Sequence, residues 1–174
     1  MKRSEFEHTI RAAGAILEVN EVLVIGSQAI HASIDFDIPE AQRSIEADIS
    51  ALDDHDGSKA DLIDGSIGEL SIFQETYGYY AQGVTPQTAV LPEGWRKRLV
   101  KFRTPATNGV TAFCLEIHDL WISKAVASRP KDVEFCMALK KRGLVQKKIL
   151  QDRLKKLKKV RPEVRKVVLN LISQ

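Results

Sequence analysis

Apolar residues along this chain follow two periods, one helical and one of strands. Phe6, Ile10, Ala13 and Leu17 fall on one stripe of a helix predicted over residues 4–18, where Ser4 and Glu7 have the spacing of a capping box. Gly14 weakens that helix unless another element packs closely against it. Val22-Leu23-Val24-Ile25 is a continuous apolar run, the pattern of a strand buried on both faces. It stops at Gly26-Ser27 and passes into a short helix over residues 28–32. A second strand is predicted over 43–50. Alternate side chains of a strand share a face, so Ile45, Ala47 and Ile49 point into the core while Glu46 and Asp48 point together the other way.

Residues 53–57 form an acidic turn around His55. A weak helical pattern over 59–76 is broken by Gly65 and Gly68, and 77–84 reads as a turn and strand. After a turn at 91–95 and a basic exit over 95–98, residues 99–103 and 110–117 make a hairpin across Asn108-Gly109. From His118 the pattern is helical: 119–127, then a helix opened by Pro130 and closed by Gly143, then 145–159 and 162–173. Leu150, Leu154 and Leu157 give the first of the last two its apolar stripe. The expected class is α/β (α+β), a small mixed sheet flanked by helices with a helical C-terminal part. No repeat or flexible linker interrupts it.

At 174 residues the chain supports one core with a small helical appendage. No apolar run approaches the roughly 20 residues that cross a bilayer, and Glu5, Glu7 and Glu18 interrupt what a signal peptide would keep apolar. Cys114 and Cys136 have no metal-like spacing and read as buried thiols in a reducing cytoplasm. The net charge of +3 hides an asymmetry: residues 140–166 hold 13 Lys/Arg against Asp152 and Glu163, a net of +11, so the remainder carries 3 − 11 = −8. An acidic body with a basic arm suits an enzyme that grips a polyanion; lysine-rich helices also serve simply as solvated faces.

Glu46 and Asp48, side by side on one strand, repel each other, and a hard divalent cation such as Mg²⁺ between them is the natural relief. Gly26 lets backbone N–H groups approach an anion, the following helix points its positive end there, and Ser27 adds a hydroxyl. A phosphate cradle beside paired metal-binding carboxylates is the equipment of phosphoryl or nucleotidyl transfer. The same residues also describe an outward acidic face and a capped strand-to-helix turn.

Ile25-Gly26-Ser27 followed by Glu46-Ala47-Asp48-Ile49 resembles the two-part signature of the nucleotidyltransferase (DNA polymerase β-like) superfamily. Residues 60–71, Leu91-Pro92-Glu93-Gly94-Trp95-Arg96, His118-Asp119-Leu120, Lys124 and Arg129-Pro130-Lys131-Asp132 resemble an uncharacterised bacterial branch, similar to the AbiEii and MenT toxin-type enzymes. The resemblance covers roughly residues 20–145 and implies a nucleotidyltransferase fold with a catalytic domain over 1–143 and basic helices over 144–174 packed on it. It further implies Glu46, Asp48, Lys124 and Asp132 as catalytic residues, Mg²⁺ or Mn²⁺ on Glu46 and Asp48, and an NTP held by Gly26, Ser27, Lys124, Arg129 and Lys131. Glutamate in the first acidic position departs from the commoner Asp-x-Asp form. A third carboxylate is expected in such sites, with Asp61, Asp64, Glu69 and Glu116 as candidates. His31, His55 and His118 form no ligand spacing.

The expected activity is transfer of a nucleoside monophosphate from an NTP to an acceptor hydroxyl, on RNA (a tRNA 3′ end in particular) or protein, in a toxin–antitoxin or phage-defence setting. A cognate antitoxin is an expected partner, and a membrane is not. The alternatives are an inactive, antitoxin-like binding module of the same fold, a small-molecule (antibiotic) nucleotidyltransferase, and plain nucleic-acid binding by the basic helices.

Overall fold

Helix α1 (Arg3–Ile16) buries Phe6, Ile10 and Ala13 as its stripe predicts, but its cap is placed earlier than Ser4. The Glu5 carboxylate accepts the Lys2 backbone N–H at 2.7 Å, while Glu7 faces Arg3 at 3.9 Å. Gly14 is where the β-hairpin packs: a Cβ there would lie 2.5 Å from Val110 Cγ2. The computed structural model describes residues 1–54, 56–158 and 160–174, so the expectations that fall on His55 and Lys159 lie outside the described residues.

Strand β1 (Glu21–Val24) carries Val22, Leu23 and Val24 into the core. A 3-10 turn over Ser27–Ala32 and the single turn of α2 (Pro39–Gln42) lead to β2 (Glu46–Ser50). Because the chain is helical up to Gln42, the strand starts at Glu46 rather than Arg43. Ile45 lies before it and is exposed, not in the core. Ala47 and Ile49 are buried as predicted.

The weak pattern over 59–76 separates into α3 (Ser58–Ile67) and α4 (Ile72–Tyr77), each with its own cap. The Asp54 carboxylate accepts from the Gly57 and Ala60 amides, and Ser71 Oγ from Gln74 N. Then come β3 (Tyr80–Gly83), β4 (Val100–Phe102) and β5 (Thr111–Cys114). The described strands form a mixed sheet in the order β3-β2-β1-β5-β4. β1 runs antiparallel to β2 and parallel to β5, β3 is parallel to β2, and β4 closes the other edge as the antiparallel hairpin partner of β5.

The sequence pattern runs the β5 strand to Ile117, but it ends at Cys114. Glu116 turns out to be the N-cap of α5 (Ile117–Ala127), its carboxylate accepting from Asp119 N at 3.3 Å. α6 (Pro130–Lys141) opens on the predicted proline. α7 (Lys147–Lys155) and α8 (Pro162–Ser173) pack against α5, so Leu150, Leu154, Val168 and Ile172 join the apolar cluster that contains the sheet. Cys114 and Cys136 are free and buried. No helix among the described residues is long and apolar enough to cross a membrane.

Candidate active site

The carboxyl end of β1 meets the middle of β2 where Ile25 N donates to the Asp48 carbonyl at 3.2 Å. Gly26 follows with φ −89° and ψ −171°, extended backbone open to any residue. What the position excludes is a side chain, because a Cβ would sit 1.5 Å from Asp48 Oδ2. The glycine is thus required first by Asp48. The helix expected after Ser27 is a six-residue 3-10 turn. That is too short for a helix dipole to matter, so any anion cradle here rests on the first amides of the turn and the Ser27 hydroxyl.

Gln28 is a residue that the sequence pattern does not single out. It is fully buried, and its Nε2 donates to Ser44 O at 3.2 Å and, at 3.5 Å, to Ser27 Oγ. Its Oε1 has no partner among the described residues. The Ser44 carbonyl fixes which way the amide points, since a flipped amide would set oxygen against oxygen.

On β2, Glu46 and Asp48 share a face as predicted. Burial pushes the Asp48 carboxyl up from its ordinary value; the Lys124 charge opposes that and the Glu46 charge adds to it. No hydrogen bond to the Asp48 carboxylate comes from the described residues. Glu46 is better held, accepting from Tyr80 Oη at 3.0 Å with Lys131 Nζ 3.7 Å away. Burial, followed by that hydrogen bond to Glu46, raises the Tyr80 phenol to about 12.

Helices α5 and α6 bring four more of the expected residues to this end of the sheet. Asp132 is 2 % exposed and stands in the wall of the space beside Glu46, with Lys124 Nζ at 3.5 Å and Arg129 Nε at 2.6 Å. Burial alone would raise its pKa, but the Arg129 hydrogen bond and the Lys124 and Arg129 charges outweigh it and hold the carboxyl low. Asp132 therefore anchors Lys124 and Arg129 and does not line the same space as Asp48.

Two clefts open here. One, of about 250 Å³, is lined by Ser27, Arg43, Glu46 and Lys131, and also by Glu40, Asp132 and Glu134. The other, of about 370 Å³, contains Gly26, Asp48, Val90, Ser123, Val126 and Arg129. Lys124 lines both and stands at their boundary.

None of the third-acid candidates joins the pair. Asp64 accepts Gly83 N at 2.7 Å, Glu116 holds His118 Nδ1 at 2.5 Å, and Asp61 and Glu69 are exposed on α3 and just beyond it. Across the strand register, Tyr80 stands beside Glu46 and Gln82 beside Asp48. Among the described residues there is no group of three or more His, Cys, Asp or Glu that could hold a metal ion. Two carboxylate ligands still suit Mg²⁺, which keeps waters and takes substrate phosphates as its other ligands. An Asp48 carboxylate without a hydrogen-bond donor among the described residues fits that donor set.

Much of the basic arm is committed to the fold. Arg153 faces the buried Asp119 at 3.0 Å, Lys140 Nζ donates to Leu171 O and Ile172 O, Arg142 pairs with Glu40 and Arg165 bonds two α7-end carbonyls. Lys147, Lys148, Lys155, Arg161 and Lys166 are exposed and make no ion pair with the described residues.

A family model described as "Nucleotidyltransferase of unknown function (DUF6036)" matches residues 6–170. No curated protein and no solved structure matches the chain.

Proposed function

Because the chain belongs to this family of nucleotidyltransferases of unknown function, we propose that it transfers a nucleoside monophosphate from an NTP to an acceptor hydroxyl with Mg²⁺ (or Mn²⁺) bound by Glu46 and Asp48. The observation that carries this is the Asp48 carboxylate, pressed against a glycine, lacking a hydrogen-bond donor among the described residues and lining a cleft beside Lys124. In the reaction the acceptor oxygen attacks the α-phosphorus and forms the new P–O bond. The bond to the bridging oxygen breaks and pyrophosphate leaves, while the hydroxyl proton passes to Asp48. The divalent ion, when bound, offsets charge on the phosphate oxygens. Ser27, Lys124 and Lys131 orient the triphosphate by hydrogen bonds and charge, and Arg129, held by Asp132, adds a cation at the far side.

RNA, including a tRNA 3′ end, is the acceptor that the exposed Lys147, Lys148, Lys155, Arg161 and Lys166 favour. The likeness to toxin-type enzymes favours a toxin–antitoxin or phage-defence setting with a cognate protein inhibitor. The test is transfer of label from each α-³²P NTP to total RNA and to protein. Mg²⁺-dependent labelling that disappears in Asp48→Asn is expected; equal labelling by wild type and variant sinks the proposal. A second reading, a non-catalytic partner-binding module, is favoured by the lack of a third acid beside the pair among the described residues. It predicts no metal-dependent NTP affinity in calorimetry.

A further inference from the structure

We infer that the cleft containing Asp48 receives the acceptor, and that it takes the acceptor's terminal nucleoside, presenting its hydroxyl. This rests on the nucleotidyl-transfer reading above. In-line displacement needs the nucleophile and the leaving group on opposite sides of the transferred phosphorus. The site has that two-sided form. Gly26 and Asp48 face one cleft, Ser27 and Glu46 face the other, and Lys124 lines both.

The two sides differ in chemistry. Next to Glu46 are the Ser27 hydroxyl and the cations Lys131 and Arg43, donors for phosphate oxygens. Glu40, Asp132 and Glu134 line this side too, Glu134 paired with Arg43 and Asp132 with Lys124, so a triphosphate here depends on the divalent ion. Next to Asp48 the walls are apolar: Ala89 and Val90 from one segment, Val126 and Ala127 from the end of α5. Thr88 and Ser123 supply hydroxyls between them. Apolar walls with a few placed hydroxyls suit a flat ring system bearing polar edges. The space, about 370 Å³, is at the lower end of the roughly 300–1,000 Å³ typical of ligand sites, room for one nucleoside unit. Lys124 and Arg129 stand beside Asp48 there, with Asp132 behind them as their counter-charge, so the walls carry no strong net charge of either sign.

The test uses the full chain and two exposed wall positions, as Val90→Trp and Ala127→Trp, each checked for folding by circular dichroism. Calorimetry with Mg²⁺ measures binding of a non-hydrolysable ATP analogue and, separately and together, of the dinucleotide adenylyl-(3′→5′)-adenosine. Wild type is expected to bind both at once. Each tryptophan variant should lose about tenfold or more in dinucleotide affinity while holding the ATP analogue as wild type does. Loss of the analogue with the dinucleotide retained would assign this cleft to the donor's base and overturn the inference. So would retention of both ligands by both variants, or wild type binding the analogue and not the dinucleotide. If wild type binds no nucleoside triphosphate analogue at all, the nucleotidyl-transfer reading itself fails, and the inference falls with it.

Discussion

The Asp48 carboxylate fills the space that a side chain at Gly26 would need: a Cβ there would lie 1.5 Å from Asp48 Oδ2 and 2.5 Å from its Cγ. Two residues far apart in sequence are thus one packing unit, and the backbone bond from Ile25 N to the Asp48 carbonyl fixes their height relative to each other.

Gly26→Ala should therefore act on Asp48. The added methyl forces the carboxylate aside at an overpacking cost of about 1–3 kcal/mol, and a displacement of that size should lower transfer roughly a hundredfold. Thermal melts and labelled-NTP transfer measure the two effects. A Gly26→Ala enzyme as active as wild type would show that the contact has no bearing on the chemistry.

Gln28 yields a prediction in which stability and function part company. Leaving its Oε1 buried without a partner among the described residues costs about 1–3 kcal/mol, and an apolar residue of similar shape avoids it. Gln28→Met should keep or raise Tm yet weaken Mg–NTP binding, because Ser27 Oγ and Ser44 O lose their shared donor. Gln28→Glu should also bind NTP poorly, since a carboxylate cannot donate to the Ser44 carbonyl. Melting that falls in step with affinity in Gln28→Met would reduce the residue to ordinary packing.

Most of the sheet was legible because its signals are local. The run Val22–Ile25, the alternation of Glu46, Ala47, Asp48 and Ile49, and the Asn108-Gly109 turn each state their own conformation. Ile45 was not legible: the alternation extends through it, and only the helical turn ending at Gln42 shows that the strand has not yet begun. Glu116 reads as a strand residue until its carboxylate is seen capping α5. The roles of Gln28 and Tyr80 depend on partners many residues away, Ser44 and Glu46, and no spacing rule reports such contacts.

Asp48→Asn removes a charge that burial disfavours. With its native pKa raised, the wild-type carboxyl contributes stability that is fully present below the unfolded carboxylate range. That contribution is lost as pH rises through the raised native value. At neutral pH the variant should melt above wild type while transferring no label, and the two should converge in acid. A variant that melts below wild type at pH 7 would mean that the carboxylate is compensated in a way this geometry does not contain.

Asp132 behaves oppositely, and the sign separates it from Asp48. Its pKa is held low, burial being outweighed by Arg129 and Lys124, so its contribution to stability is present above the unfolded carboxylate range and lost as pH falls through the depressed native value. Asp132→Asn leaves Lys124 and Arg129 without their shared counter-charge; because the Arg129 side chain is 56 % exposed, solvent screens part of the loss and the cost is about 1–3 kcal/mol. The variant should lose stability at pH 7 and lack the steepest part of the wild-type acid decline. It should also bind Mg–NTP less tightly, because Lys124 is no longer held at the boundary of the two clefts. The double variant Lys124→Met/Asp132→Asn checks the coupling: if Asp132 acts through Lys124, the second substitution adds much less to the loss of NTP affinity than either does alone. Full additivity would instead make Asp132 an independent participant in the reaction.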